Sequence, residues 1–222
     1  MVKINDYFDA IYCINLDRRP DRWKENCLPQ FNNLGLSVER FSAVDGKKDI
    51  DLGHGDYHNG EIAGSMSHLN ALIKAKKNGI KKLLLLEDDV VFKDNANEIF
   101  SNTIDNVPKD WEYLFFGGNH VGGFRTVSPG VVKLGGSYAI HACGIKESSY
   151  DIMIQHLTTK INQSIKKAKT EKPKKSIAAD FFLADLQKVL KTYCFLPHLA
   201  WQLDGHSDIQ GAYMNYDFLK KY

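Results

Sequence analysis

Glu87-Asp88-Asp89 sets three carboxylates in a row directly after Leu83–Leu86, and Val90-Val91-Phe92 turns apolar again at once. Two carboxylates about 5 Å apart repel by about 3 kcal/mol at an effective dielectric of about 20. Such a run therefore wants a compensating cation. Carboxylate oxygens suit hard divalent ions such as Mg²⁺ or Mn²⁺, which retain water and also take phosphate oxygens. Extended geometry through the triplet would send Glu87 and Asp89 to one side and Asp88 to the other. The chemistry this suggests is a divalent cation site that presents a diphosphate. The competing reading is a solvated acidic turn that caps the next helix.

Elements able to hold that triplet can be read on both sides of it. Phe8 to Leu16 predicts a buried strand, and Gly35 ends a helix running from Trp23 to about Asn33. Val38 to Val44 predicts a second strand, with a turn at Asp45-Gly46 and a loop over 47–60. Ile62, Met66, Leu69 and Ile73 recur at helical spacing, so 62–78 predicts a helix stopped by Gly79. Leu83–Leu86 is apolar on both faces, as a strand covered on both sides must be. Further on, part of 92–107 predicts helix, Trp111–Phe116 strand, Ser137–Cys143 strand, and 145–161 helix. A helix over 178–190 and a strand over 193–196 follow. This alternation predicts an α/β fold, with a mostly parallel central sheet carrying helices on both faces. Ligands in such sheets bind outside the carboxyl ends of the strands, where the triplet sits.

The length of 222 residues suits a single domain with a sizeable core. A net charge of only +2 gives no reason to expect a nucleic-acid partner. Cys13, Cys27, Cys143 and Cys194 are scattered without a CxxC pair, which predicts buried free thiols. The opening residues do not resemble a signal peptide, and no apolar run approaches the ~20 residues of a membrane span. The expected location is cytoplasmic. Lys166–Lys175, which holds six lysines, reads as a solvated segment.

Several blocks carry a resemblance. They are IYCINLDRRPDR (11–22), ERFSAVDG (39–46), GEIAGSMSHLNAL (60–72), LLLLEDDVVF (83–92), SYAIHACGIKESSYDIM (137–153), AADFFLADL (178–186) and SDIQG (207–211). In this order they resemble glycosyltransferase family 25, which holds lipopolysaccharide and collagen galactosyltransferases. The resemblance departs at Ser65 and Met66, where the family often has Cys and Leu, and at Ala179, where it has Pro.

The resemblance implies a GT-A fold, with residues 1–110 forming a nucleotide-sugar half and 111–222 an acceptor half. It implies an inverting, Mn²⁺- or Mg²⁺-dependent transfer of galactose or glucose from a UDP-sugar to an acceptor hydroxyl on a glycan or protein. By the same likeness Asp89 binds the metal, with the late His206 or Asp208 as a second ligand. Glu87 faces the ribose and Asp88 supports either task. Arg18, Arg19 and Arg22 follow the first strand, and guanidinium groups bind phosphate bidentately; pairing with Asp17 or Asp21 would divert some of them. Asn15, Asp45, Ser67 and His68 complete the donor-binding set. Asp180 is the expected general base, although Asp also favours helix N-caps. Glu147 is a weaker candidate for the base, and Trp201 a candidate sugar platform. Two other classes compete. One is a nucleotide-sugar-binding domain without turnover. The other is a phosphoryl-transfer enzyme, for which no P-loop glycine run is present.

Overall fold

The computed structural model describes residues 2–222. Its central sheet is built on β1 (Ala10–Asn15), β2 (Glu39–Ser42) and β3 (Lys82–Glu87), all parallel, with β1 in the middle. A short β4 (Val90–Phe92) leaves the tip of β3 and pairs outside this sheet. Beyond β3 come β5 (Tyr113–Phe115), β6 (Phe124–Ser128), β7 (Val131–Leu134), β8 (Ala142–Lys146) and β9 (Thr192–Phe195). The strand order is β2-β1-β3-β8-β5-β9-β7-β6. β8 runs antiparallel to both β3 and β5, and β7 antiparallel to both β9 and β6; the other strands share one direction. The mostly parallel α/β architecture expected from the sequence is thus present, with two reversed strands inside it.

The leucines explain why β3 lies in the interior of the sheet. Leu83 and Leu85 face one core, with Ile62 and Leu72 of α3 (Asp56–Lys77), Met153 and Leu157 of α5 (Glu147–Ala168), and Phe182 of α6 (Ala179–Leu186). Leu84 and Leu86 face the opposite core, with Phe31 of α2 (Leu28–Leu34) and Phe100 of α4 (Ala96–Thr103); a one-turn α1 (Ile4–Tyr7) closes that side. None of the four leucines is more than 2% exposed. Each buried leucine contributes about 1.5–3 kcal/mol, so the acidic tip rises from a strand fixed on both faces. Leu84→Ala is expected to cost about 2–5 kcal/mol, read as a lower midpoint in denaturant unfolding.

Several boundaries differ from the sequence expectation. α3 begins at Asp56, inside the predicted loop, because buried His58, Asn59 and Glu61 give its first turns a polar composition that masks the helix. Ser137–His141 is not strand: Ala139 adopts φ 62, and the ladder starts only at Ala142. That strand then takes up Ile145, so α5 starts at Glu147. The β6–β7 hairpin, turning at Pro129-Gly130 with Gly130 at φ 75, was not expected. Neither were β10 (Ala200–Gln202), which pairs with β4, or the small β11 (Gly205–His206) and β12 (Tyr213–Met214) ribbon. All four cysteines are buried and free. Among the described residues no helix is long and apolar enough to cross a membrane.

Candidate active site

A cavity of about 480 Å³ opens at the carboxyl ends of β1 and β3, within the range usual for small-molecule sites. Its wall includes Arg18, Arg22, Ser67, His68, Glu87, Asp88, Asp89, Asp180 and Asp208. The Asp45-Gly46 turn closes one side by direct backbone contact with α3. A Cβ on Gly46 would lie 2.7 Å from Asn59 and Gly60 backbone atoms, so only glycine fits there.

The three acids differ in their surroundings. β3 ends at Glu87, and Asp88-Asp89 form a turn rather than continuing the strand. Glu87 accepts from His68 Nε2 at 2.9 Å. Burial pushes Glu87 upward, but the hydrogen bond and charge of His68, with His141 and Arg22, outweigh it and hold the carboxyl below its ordinary value. Asp88 is the anchored acid. It accepts from Asn15 Nδ2 at 2.6 Å and from Arg22 Nη1 at 2.7 Å. Asp89 is the least partnered: Oδ1 is buried without a hydrogen bond among the described residues, and Oδ2 has Gln202 Nε2 at 3.5 Å and the Arg22 guanidinium at 3.8 Å. Burial, then the charges of Glu87 and Asp88, push Asp89 up to about 8. An orphaned buried carboxylate oxygen that feels the charges of two neighbouring acids is what a divalent ion would satisfy. The donor set, all carboxylate at this point, therefore fits Mn²⁺ or Mg²⁺.

Two amides that sequence reasoning missed hold this turn in place. Asn26 Nδ2 donates to the Asp88 and Val90 carbonyls at 2.9 and 3.1 Å. Gln30 donates to the Val90 carbonyl and accepts from Phe92 N–H. Their spacing of one helical turn, directly after the arginine-rich segment, was the available signal.

Among the other predicted donor-binding residues, Arg18 and Ser67 line the cavity, whereas Asn15, Asp45 and Arg19 stand behind its wall. Asn15 is 1% exposed and is spent on Asp88, the Arg19 carbonyl and Arg40. Asp45 accepts from Arg18 Nε at 2.9 Å and caps Lys47 N–H. Ser67 donates to the Ala63 carbonyl and accepts from Val44 N–H, which ties α3 to the chain after β2. Arg18 and Arg19 converge on Asp208, whose carboxyl they hold below its ordinary value against the opposing effect of burial. Arg19 also pairs with Asp21, as anticipated for one of the three arginines. His206 offers its backbone carbonyl to Arg22 at 2.8 Å. Its exposed side chain belongs to a second recess, shared with Asp89, Arg19 and Asp21, rather than to the main cavity.

Asp180 lies in the first turn of α6 and lines the cavity; the N-cap is Ala178. Its carboxylate accepts from Phe181 N–H at 2.9 Å and Ala139 N–H at 3.5 Å. Burial, then the charge of Glu87, push it above the ordinary carboxylate range. Ala139 is the only non-glycine residue with positive φ among the described residues, and such strain gathers at functional sites. Tyr138 and Phe181 stack beside it, with centroids 4.4 Å apart and planes at 18°. Glu147 does not share the cavity. It follows Lys146, which pairs with Lys82 at the opposite end of β3, so Glu147 cannot serve as the base of this site. Trp201, half-buried on β10, does not line the cavity either.

Fold and site together define an α/β protein with an acidic strand tip opening into a ligand-sized cavity. Residues 8–141 match the model of glycosyltransferase family 25 (LPS biosynthesis protein), and the chain belongs to that family. A glycosyltransferase 25 family member from Aedes aegypti is 33% identical over 126 residues, covering 48% of this chain and 21% of that protein. Human procollagen galactosyltransferase 2 is 29% identical over 130 residues, covering 50% and 21%. Mouse inactive glycosyltransferase 25 family member 3 is 27% identical over 155 residues, covering 59% and 26%. The matched region is about a fifth to a quarter of the length of these relatives.

Proposed function

We propose that this chain is a metal-dependent glycosyltransferase that moves a hexose, galactose or glucose, from a UDP-sugar to a hydroxyl of a glycan or protein, inverting the anomeric carbon. The observation that carries the proposal is the unsatisfied, largely buried Asp89 carboxylate beside Glu87, in the same cavity as Asp180. Asp89 would hold Mn²⁺ or Mg²⁺, which when bound supplies Lewis-acid stabilisation of the UDP leaving group. Arg18 and Arg22 reach the cavity as phosphate donors, and Glu87, fixed by His68, faces the nucleotide side. Asp180 takes the proton of the acceptor hydroxyl, and its raised proton affinity suits that task.

Ligands that bind only the folded state raise its stability. UDP-galactose or UDP-glucose at about 100 times Kd is therefore expected to stabilise by about 2.7 kcal/mol, read as a Tm shift that requires Mn²⁺. UDP release with an acceptor present then measures turnover. A second reading has specific support: the mouse and human family member 3 relatives are named inactive and the rat one probable inactive, and Ala179 replaces the family's Pro before Asp180. Calorimetric UDP-sugar binding without release of UDP across many acceptors would favour a binding domain over the enzyme. Release of inorganic phosphate instead would favour phosphoryl transfer.

A further inference from the structure

His120, Cys194 and His198 come from the chain after β5, from β9 and from the turn before β10, and none of them lines the acidic cavity. Their ligating atoms all lie within 4.8 Å of one another. The two imidazoles meet Nε2 to Nε2 at 2.8 Å.

The partners of the other ring nitrogens fix what these Nε2 atoms can be. His198 Nδ1 faces the Leu219 carbonyl at 3.1 Å. A carbonyl only accepts, so Nδ1 carries the proton and Nε2 is a bare lone pair. The Ser137 hydroxyl donates to the Tyr138 carbonyl at 3.1 Å, so it accepts from His120 Nδ1–H at 3.0 Å. His120 Nε2 is then bare as well. Two lone pairs pointed at each other repel, and a cation between them removes the repulsion. Ser137 is itself held through its backbone by Gln187, at 2.7 Å in both directions, so His120 has a fixed orienting partner.

We propose that His120, Cys194 and His198 form a zinc site separate from the acidic cavity. Imidazole and thiolate together select zinc over the hard ions that suit carboxylates. Zn–N bonds of about 2.0–2.1 Å in tetrahedral geometry space two nitrogens by roughly 3.4 Å, so the rings part by about half an ångström to admit the ion. Cys194 Sγ donates to the Phe195 carbonyl at 3.2 Å. On coordination the thiol releases its proton to solvent and the thiolate binds. The imidazoles release none, because both are already neutral. Water takes the fourth position. The ion ties the end of β9 to the chain after β5 and to the turn before β10.

The test is cobalt(II) titration of the chelator-stripped full chain. One thiolate-to-cobalt charge-transfer band per chain is expected. It should disappear in Cys194→Ser and in the half-buried His120→Gln, and persist in Asp89→Asn. Zinc should raise Tm by several degrees in wild type and not in His120→Gln. Should Cys194→Ser fail to fold by circular dichroism, His120→Gln carries the test alone. A wild type without the band, or a band unchanged in the folded variants or lost in Asp89→Asn, overturns the site. Absence of the band would leave a neutral relay in which Ser137 donates to His120 and His120 to His198.

Discussion

Asp89→Asn is expected to yield a protein that is more stable without metal than the wild type and almost without transfer activity. Asn keeps the shape and removes the charge that Glu87 and Asp88 oppose. The sign follows from the raised proton affinity. Between the ordinary value of 3.8 and about 8 the folded chain keeps the Asp89 proton while the unfolded chain gives it up. Stability therefore falls as pH rises through that window. The variant has no such loss, so the two proteins converge near pH 4 and separate most at pH 8. Even a tenfold difference in proton affinity is about 1.4 kcal/mol, or about 3–6 °C in Tm for a chain of this length. Activity should fall at least about 100-fold, since even partners outside the coordination sphere cost about 10–100-fold. Under the proposed metal assignment Mn²⁺ displaces the Asp89 proton, so its affinity should also rise with pH up to about 8. Scanning calorimetry from pH 5 to 8 and Mn²⁺-dependent UDP release check these outcomes. Full turnover in the variant would refute the metal assignment.

Asp180→Asn is expected to separate binding from chemistry. Its Oδ atom can still accept from Phe181 N–H, so α6 should keep its first turn. Loss of a general base costs about 10²–10⁴-fold in rate. UDP-sugar affinity with Mn²⁺ should stay within about threefold of wild type, because in the proposed mode binding uses the metal and arginines. In the wild type kcat should rise with pH through a value above the ordinary carboxylate range, as burial and Glu87 dictate. That limb of the profile should be absent in the residual activity of the variant. Unchanged transfer by Asp180→Asn would remove it from the mechanism, and loss of UDP binding would make its role one of shape.

Features that depend on nearby chain were legible in the sequence. The leucine run, the acids at its end and the glycine stops at Gly35 and Gly79 all stand where periodicity and turn chemistry put them. Features that depend on what a side chain touches were not. Asn15, Asp45 and Ser67 are polar residues near a site in both accounts. Only the fold shows that they hold Asp88, Arg18 and Val44, and that of the three only Ser67 also lines the cavity. The start of α3 was hidden because a buried network of His58, Glu61 and Ser176 makes a core-facing turn look like a solvated loop. The reversal of β8 was hidden because antiparallel pairing leaves no mark on residues buried on both sides.

Asp208 sits between Arg18 and Arg19, and both Asp208 and Arg18 line the cavity. For an anionic ligand, binding at these arginines is thus an exchange of one anion for another. The affinity gained is a difference between two ion pairs, and added salt weakens both sides of that difference. Departure has the same asymmetry in reverse. A tethered carboxylate at high local concentration competes for the guanidinium groups as the outgoing anion loosens, so the chain supplies part of the driving force for clearing its own site.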